Sequence, residues 1–414
     1  MAMSAERSTH ASITPELELL LLCARTGADP AATRRIGDLL AGDLDWISFV
    51  RAALGHDVLP LVSARLRAIG APAVPAEILD RLGHYFADHT RGNKRLAEET
   101  LGLLGALQTE AIPALALKGP ALAVAVYGDL ALRAFVDLDF LIRRGDALRA
   151  KAIMLQLGYR LLTPVDDTGW PGGGATYSFD FAHPNKPWSV ELHWRLSQIH
   201  MLDPLSFEQW RGRQRRVALE GRPVPTLTAE DTLVALCVHG DYHYWAVLKW
   251  ICDVAELLRA TPDLDWRRVE TDARKLGCWR MVGLGLRLAS DVLQAPIPDL
   301  LLARLRRDPR VAELADRVLR RLLAAEDPNA AEAEYEAPYH PYQLLERPRD
   351  WLWNARRTLI VSSNDRRLVR LPDRLAFAYY PVRLTRLCLT YGAGMLIRWL
   401  RLGAQPKVKG GIRS

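Results

Sequence analysis

Two aspartates set inside an apolar run constrain this chain more than any other feature of its sequence. The segment Phe135-Val-Asp-Leu-Asp-Phe-Leu-Ile142 has the length and composition of a buried strand, yet it carries Asp137 and Asp139. Residues two apart on a strand face the same side, so these carboxylates project together while Val136, Leu138 and Phe140 are expected to point into the apolar layer. At about 6.5–7 Å along the strand the two like charges repel each other, and a divalent cation is the usual way to make such a pair favourable. Magnesium suits it, because it takes oxygen ligands and keeps waters and substrate phosphates in its shell. A pair solvated at a sheet end is the plain alternative, and the apolar neighbours Leu138, Phe140, Leu141 and Ile142 weigh against it. Glu191, centred in Ser-Val-Glu-Leu-His-Trp194, is a third acid in an apolar strand. On an adjacent strand it completes a ligand set for up to two ions, which suits an in-line displacement.

The surroundings of these strands alternate in period. Apolar residues recur at helical spacing from Pro15 to about Gly70, and again over residues 80 to 110, where Leu82, Tyr85, Phe86, Leu96, Leu103, Leu104 and Leu107 predict a long amphipathic helix. Pro113 to Lys118 then reads as a strand, Gly119-Pro120 as a turn opening a short helix, and Asp146 to Leu157 as a helix stopped at Gly158. A strand over Tyr159–Leu162 follows. Pro164 to Gly174 is a loop, and Thr176–Ala182 with Trp188–Trp194 predicts a hairpin. Beyond Pro204 the chain reads as helical, with Thr228-Ala-Glu-Asp231 resembling a capping box. The expected class is α+β, a small mixed sheet flanked by N-terminal and C-terminal helical regions. Its expected divisions are 1–92 helical, 93–203 α/β core, 204–325 helical, and 326–414 a linker followed by a basic aromatic region.

Composition narrows the function classes. Net charge is +7, but arginine dominates the basic residues throughout, so basicity alone does not mark a nucleic-acid binder, and nucleic acid is not the expected ligand. Cys23, Cys237, Cys252, Cys278 and Cys388 are scattered and form no C-x-x-C pair, which points to neither a disulfide framework nor a thiolate zinc site. A cytoplasmic setting is the default expectation. The chain start reads as a polar tail and a helix, with no basic segment leading into an apolar one.

In their order along the chain, Leu117-Lys-Gly-Pro-Ala-Leu, Tyr127-Gly-Asp, Arg133 to Ile142, Leu157-Gly-Tyr159, Val190-Glu-Leu-His-Trp194, His239 and Leu248-Lys-Trp-Ile-Cys-Asp253 resemble the uncharacterised nucleotidyltransferase family of the polymerase-β-like superfamily. The resemblance covers most of residues 95 to 260. It implies a magnesium-dependent enzyme that moves a nucleoside monophosphate from a nucleoside triphosphate, ATP among the candidates, to a hydroxyl, phosphate or protein acceptor. A catalytically inactive nucleotide-binding or scaffold protein on the same fold is the alternative. By position, the resemblance implies that Asp137 and Asp139 bind metal and that Glu191 is a ligand or the base. Gly119 then occupies the turn where triphosphate meets backbone N–H groups, and Lys118 and Arg133 supply positive charge to phosphates. His193 and Lys249, in matching segments, join them as nucleotide-binding residues. Superfamily members often carry Gly-Ser or Gly-Gly at the turn; Pro120 here removes one N–H donor.

Three other features carry weaker expectations. His239 and His243 share one helix face at a spacing able to bind zinc, but Gly240 stands where a metalloprotease needs glutamate, so a core or cleft-lining role is preferred. Asp253 lies four residues after Lys249, a spacing that predicts an intrahelical ion pair. The aromatic and arginine-rich stretch 350–401 suits either snorkelling helices or peripheral contact with an anionic membrane, and nothing in it is apolar enough to span one.

Overall fold

The computed structural model describes residues 13–27, 29–69, 74–166, 168–171, 177–196, 206–324, 344–352, 365, 368–369, 371 and 373–388. Two compact units divide the chain: residues 1–171 with 177–350, and residues 172–176 with 351–414. In the second, the described residues include a 3₁₀ turn over Asp373–Ala378. The acidic linker read over 326–343, and most of the basic aromatic stretch, lie outside the described residues.

The first unit begins with five helices, α1 (Pro15–Cys23), α2 (Pro30–Leu40), α3 (Trp46–Gly55), α4 (Leu59–Ile69) and α5 (Ala76–Thr109). The first three start at side-chain caps, with Thr14, Asp29 and Asp45 each accepting a hydrogen bond from a first-turn N–H. The division expected between residues 92 and 93 falls inside α5, which runs unbroken through it. After α5 come β1 (Ala114–Ala116), α6 (Gly119–Leu122) continuing as a π-helical turn to Tyr127, and β2 (Asp137–Ile142). α7 (Ala147–Gln156), β3 (Arg160–Leu161), β4 (Ser178–His183) and β5 (Lys186–His193) follow.

The region beyond Pro204 is not wholly helical. After α8 (Phe207–Gly212) a second hairpin, β6 (Arg215–Leu219) and β7 (Arg222–Thr226), joins the same sheet. Pro223 and Pro225 disguise this strand, since proline lacks the N–H of a ladder. β1 meets β7 only at Ala116 opposite Thr226, so its far side carries no long ladder for the prolines to break. The sheet order is β3-β4-β5-β2-β1-β7-β6, mixed, with β2 parallel to β5 and β1 parallel to β7. Helices α9 (Ala229–Tyr242), α10 (Leu248–Ala260), α11 (Trp266–Leu276), α12 (Trp279–Leu293), α13 (Asp299–Arg306) and α14 (Pro309–Ala324) complete the unit. The architecture is α+β with helices flanking both ends of a seven-stranded mixed sheet. Among the described residues no helix is long and apolar enough to cross a membrane.

The sheet has two unlike faces. Leu138, Phe140 and Ile142 of β2, Val190 and Leu192 of β5, and Phe179 and Phe181 of β4 form one core with Leu96, Leu103 and Leu107 of α5 and Ala150 and Met154 of α7. The opposite face is polar over much of β2, β5 and β4; at its β1 end Leu115, Leu117 and Leu141 pack under Phe207 and Trp210 of α8. Val136 does not point into the apolar layer as expected. Pairing along β2 begins only at Asp137, and Val136 is 71% exposed.

His56, just beyond α3, ties the N-terminal helices to α10. Its Nδ1 accepts a hydrogen bond from the Leu248 N–H at 3.3 Å, and its carbonyl accepts one from the Lys249 N–H. The imidazole is 2% exposed; burial, helped by the charge of Arg321, pushes its pKa down to about 4 from the ordinary 6.5. A histidine held neutral this way contributes stability that is complete above pH 6.5 and is lost as pH falls through 4, about 3 kcal/mol in all. Urea unfolding followed from pH 7 to 4 should therefore fall more steeply for the native chain than for His56→Gln. Parallel curves would mean that His56 is protonated without cost.

Candidate active site at the polar end of the sheet

The site is built where three strand positions coincide. Parallel pairing of β2 with β5 sets Asp137 opposite Ser189, Asp139 opposite Glu191, and Leu141 opposite His193, so alternate residues of both strands share the polar face. β1 runs antiparallel on the other side of β2, and the Leu117 N–H donates to the Asp139 carbonyl at 2.9 Å, which delivers Lys118 beside the Asp139 side chain. Lys118 Nζ lies 3.2 Å from Asp139 Oδ2, while His193 Nε2 lies 2.9 Å from Asp139 Oδ1 and 3.2 Å from Glu191 Oε2. Asp139 and His193 are buried; Glu191 keeps 31% of its side chain exposed.

Charge pairing decides the protonation of this cluster. Burial favours a neutral Asp139, but the Lys118 ammonium and the His193 hydrogen bond outweigh it and hold Asp139 well below the usual carboxylate range. Asp137 is pushed up, by burial and then by the neighbouring charge of Asp139, against the pull of Lys118 and Arg133. Burial opposes charge on His193 and Lys118 too. Hydrogen bonds to Asp139 and Glu191 nonetheless raise His193 to about 9, and Asp139, Asp137 and Glu191 raise Lys118.

The donor set suits a hard divalent cation. Asp139, Glu191 and His193 form the one group of three metal-ligating side chains among the described residues, with ligand atoms all within 4.8 Å of one another. Asp139 Oδ2 is buried and faces the Lys118 ammonium at 3.2 Å, with a further lone pair to give. Asp137, half-buried, faces the same side one pleat along β2. His193 and Lys118 supply the positive charge this arrangement needs when only the side chains are considered.

Gly119 makes the neighbouring turn. Its φ is +55°, a left-handed conformation, and a Cβ there would meet the Asp137 carbonyl at 3.1 Å, so the backbone after Lys118 closes against β2 only without a side chain. Pro120 occupies the first turn of α6, where its fixed φ fits and its missing N–H would have no helical partner.

Other residues singled out from the sequence make their direct contacts outside the metal-ligating group. Arg133 is buried and forks onto Asp253, with Nε 2.8 Å from Oδ1 and Nη2 2.9 Å from Oδ2, while the Tyr127 hydroxyl donates to Oδ1 at 2.7 Å. The intrahelical pair expected between Lys249 and Asp253 is absent, because each finds a tertiary partner: Lys249 Nζ lies 2.5 Å from Asp57 Oδ2. His239 and His243 meet each other and Trp250 as rings rather than joining the metal-ligating group. One carboxylate escaped the sequence reading. Asp180 of β4 sits opposite Glu191 on the same face and accepts from Ser178 Oγ at 2.8 Å. The alternation Ser-Phe-Asp-Phe181, with both phenylalanines in the core, was the available signal.

A family model described as an uncharacterised nucleotidyltransferase matches residues 42–294, extending beyond the motif-bearing segments at both ends. No curated protein matches the chain. Among solved structures it is similar, at 17% identity over 44% of this chain and 91% of the other and with a TM-score of 0.32, to the antibiotic-resistance factor ANT(2'')-Ia, described as showing substrate-regulated conformation dynamics. A second likeness, also 17% identical over 50% of this chain and 93% of the other with a TM-score of 0.29, is to an antigenic nucleotidyltransferase-like protein from Paracoccidioides brasiliensis. At TM-scores of this size neither likeness bears on the chain's role.

Proposed function

The chain belongs to the uncharacterised nucleotidyltransferase family, and from that premise we propose that it moves a nucleoside monophosphate from a nucleoside triphosphate to a hydroxyl, phosphate or protein acceptor. The observation that carries this reading is the register of β2 on β5, which sets Asp139 against Glu191 with Lys118 alongside. Asp137, Asp139 and Glu191 would hold magnesium, which supplies a Lewis acid for the phosphate oxygens.

The rest of the chemistry falls to the chain's own residues. Lys118 is kept charged by the surrounding carboxylates and offers its ammonium to the triphosphate. Gly119 lets the backbone pass close to it. The acceptor oxygen forms a bond to the α-phosphorus, the α–β phosphoanhydride bond breaks, and pyrophosphate leaves with the bonding pair. Glu191, more exposed than Asp139, His193 and Lys118, takes the acceptor's proton where that acceptor is a hydroxyl. Arg133, turned inward onto Asp253, acts on Asp137 as a fixed positive charge rather than as a phosphate ligand.

Calorimetric titration with ATP, GTP, CTP and UTP, with and without magnesium, tests the reading. Magnesium-dependent saturable binding of at least one of them is expected. Binding of none would reject the assignment, and tight binding without turnover across a broad acceptor panel would leave the scaffold reading, for which the lost N–H of Pro120 is the supporting observation.

A further inference from the structure

Three residues before Asp253, which accepts hydrogen bonds from Tyr127 and Arg133 of the α/β layer, α10 carries Trp250, one of a group of rings that the transfer chemistry does not use. His239 sits in the last turn of α9, His243 caps that helix, and Trp250 lies in the first turn of α10. Their rings touch in series. His243 stacks on Trp250 with centroids 4.9 Å apart and planes 30° from parallel, and His239 meets His243 edge-on at 4.6 Å and Trp250 at 5.9 Å. All three are half-buried, and the Tyr242 ring meets His243 edge-on at 4.9 Å.

The shelf is held rigidly. Between the two helices Tyr244 and Trp245 both take left-handed backbone conformations, φ +58° and +52°, which non-glycine residues adopt only when the surroundings enforce them. Trp245 is fully buried against Gly240 and Gly285, where an added Cβ would come within 2.6 Å of its ring atoms at Gly240 and 2.9 Å at Gly285. A bolted loop that presents adjoining aromatic rings is the kind of strained feature that collects at ligand sites.

Its electrostatics separate it from the anion-binding part of the site. Burial, then the charge of Lys118, holds His239 well below the ordinary histidine range and His243 at about 4, while Asp139 acts on His239 and Glu191 on His243 in the opposite sense. Both imidazoles therefore stay neutral near pH 7 and lie within electrostatic reach of Lys118 and the carboxylates. A neutral, planar surface offers nothing to more phosphate. It suits an uncharged ring attached to that phosphate.

Resting on the transferase reading, we infer that His243 and Trp250, backed by His239, form the platform on which the nucleobase of the bound triphosphate stacks, so that α9 and α10 set donor affinity while β2 and β5 set the chemistry. Stacking on an aromatic surface tolerates every base, which predicts a weak preference among the four.

The test compares the preferred nucleoside triphosphate with inorganic tripolyphosphate, both with magnesium, on the full chain and on His243→Ala, Trp250→Leu and Trp250→Phe. The native chain should bind the nucleotide about 5- to 150-fold more tightly than tripolyphosphate. Trp250→Leu and His243→Ala should lose most of that margin with tripolyphosphate affinity unchanged, and Trp250→Phe, which keeps a ring, should retain it. Equal affinities in the native chain, or a margin indifferent to the shelf variants, would overturn the platform and leave the phosphate site standing. Binding of neither probe would remove both. Loss of tripolyphosphate binding along with nucleotide binding in Trp250→Leu, restored by Trp250→Phe, would mean that the tryptophan shapes the fold of the site, and would overturn the platform as well.

Discussion

Asp253→Ala is expected to destabilise the protein by about 3–5 kcal/mol, the scale on which removing one partner of a buried ion pair acts. Asp253 is 1% exposed and satisfies two groups from the α/β layer, the Arg133 guanidinium and the Tyr127 hydroxyl. Its loss strands a guanidinium that is 6% exposed and, with burial opposed by Asp253, is held firmly charged in the native chain. An arginine cannot escape by giving up its proton, so the cost of a buried, unpaired charge falls on the fold. Urea unfolding measures it. A second variant, Arg133→Met with Asp253→Leu and Tyr127→Phe, should recover most of the loss, because exchanging a whole buried polar set for apolar side chains is often neutral. A drop below about 1 kcal/mol for Asp253→Ala, within the range of exposed pairs, would mean that the guanidinium reaches water when its partner is gone.

That pair also marks where the sequence stops being legible. Spacing of four on a helix favoured Lys249 for Asp253, and a local rule has no view of Arg133, which lies 120 residues away and offers two parallel hydrogen bonds. The site strands were different. In β2 and β5 a period of two sorts Leu138, Phe140, Val190 and Leu192 from Asp137, Asp139, Glu191 and His193, so each strand and its polar face follow from alternation alone. What alternation leaves open is register. A slip of one residue along β5 would have turned Glu191 to the core face, and only the parallel pairing places it against Asp139. Asp180 obeys the same alternation, but stood in a strand read for its hairpin rather than its chemistry. The hairpin β6–β7 stayed hidden for an opposite reason, since two prolines and three arginines blur the pattern. Gly119 was legible as a turn. Why the turn needs glycine became clear only from the approach of the Asp137 carbonyl.

Asp139 carries the largest expected functional effect. It is the one side chain that meets Lys118 and His193 and stands opposite Glu191, so three groups of the cluster take their position or charge from it. Asp139→Asn keeps a carbonyl oxygen for His193 while deleting the charge, and should abolish the magnesium dependence of triphosphate binding. Any turnover should fall on the order of 10²–10³-fold or more, the scale seen when one fixed electrostatic stabiliser is removed. Asp137→Ala should match it in metal dependence. The half-buried Lys118 and the buried His193 would lose a partner in Asp139→Asn, so its thermal midpoint must be measured beside its activity; a folded variant without magnesium-dependent binding is the expected outcome. Glu191→Gln separates two roles that the geometry assigns to one residue. A ligand role alone would weaken magnesium-dependent binding at every pH, whereas a base role would spare binding and flatten the rise of turnover with pH. Full magnesium-dependent turnover in folded Asp139→Asn would detach the reaction from this cluster altogether.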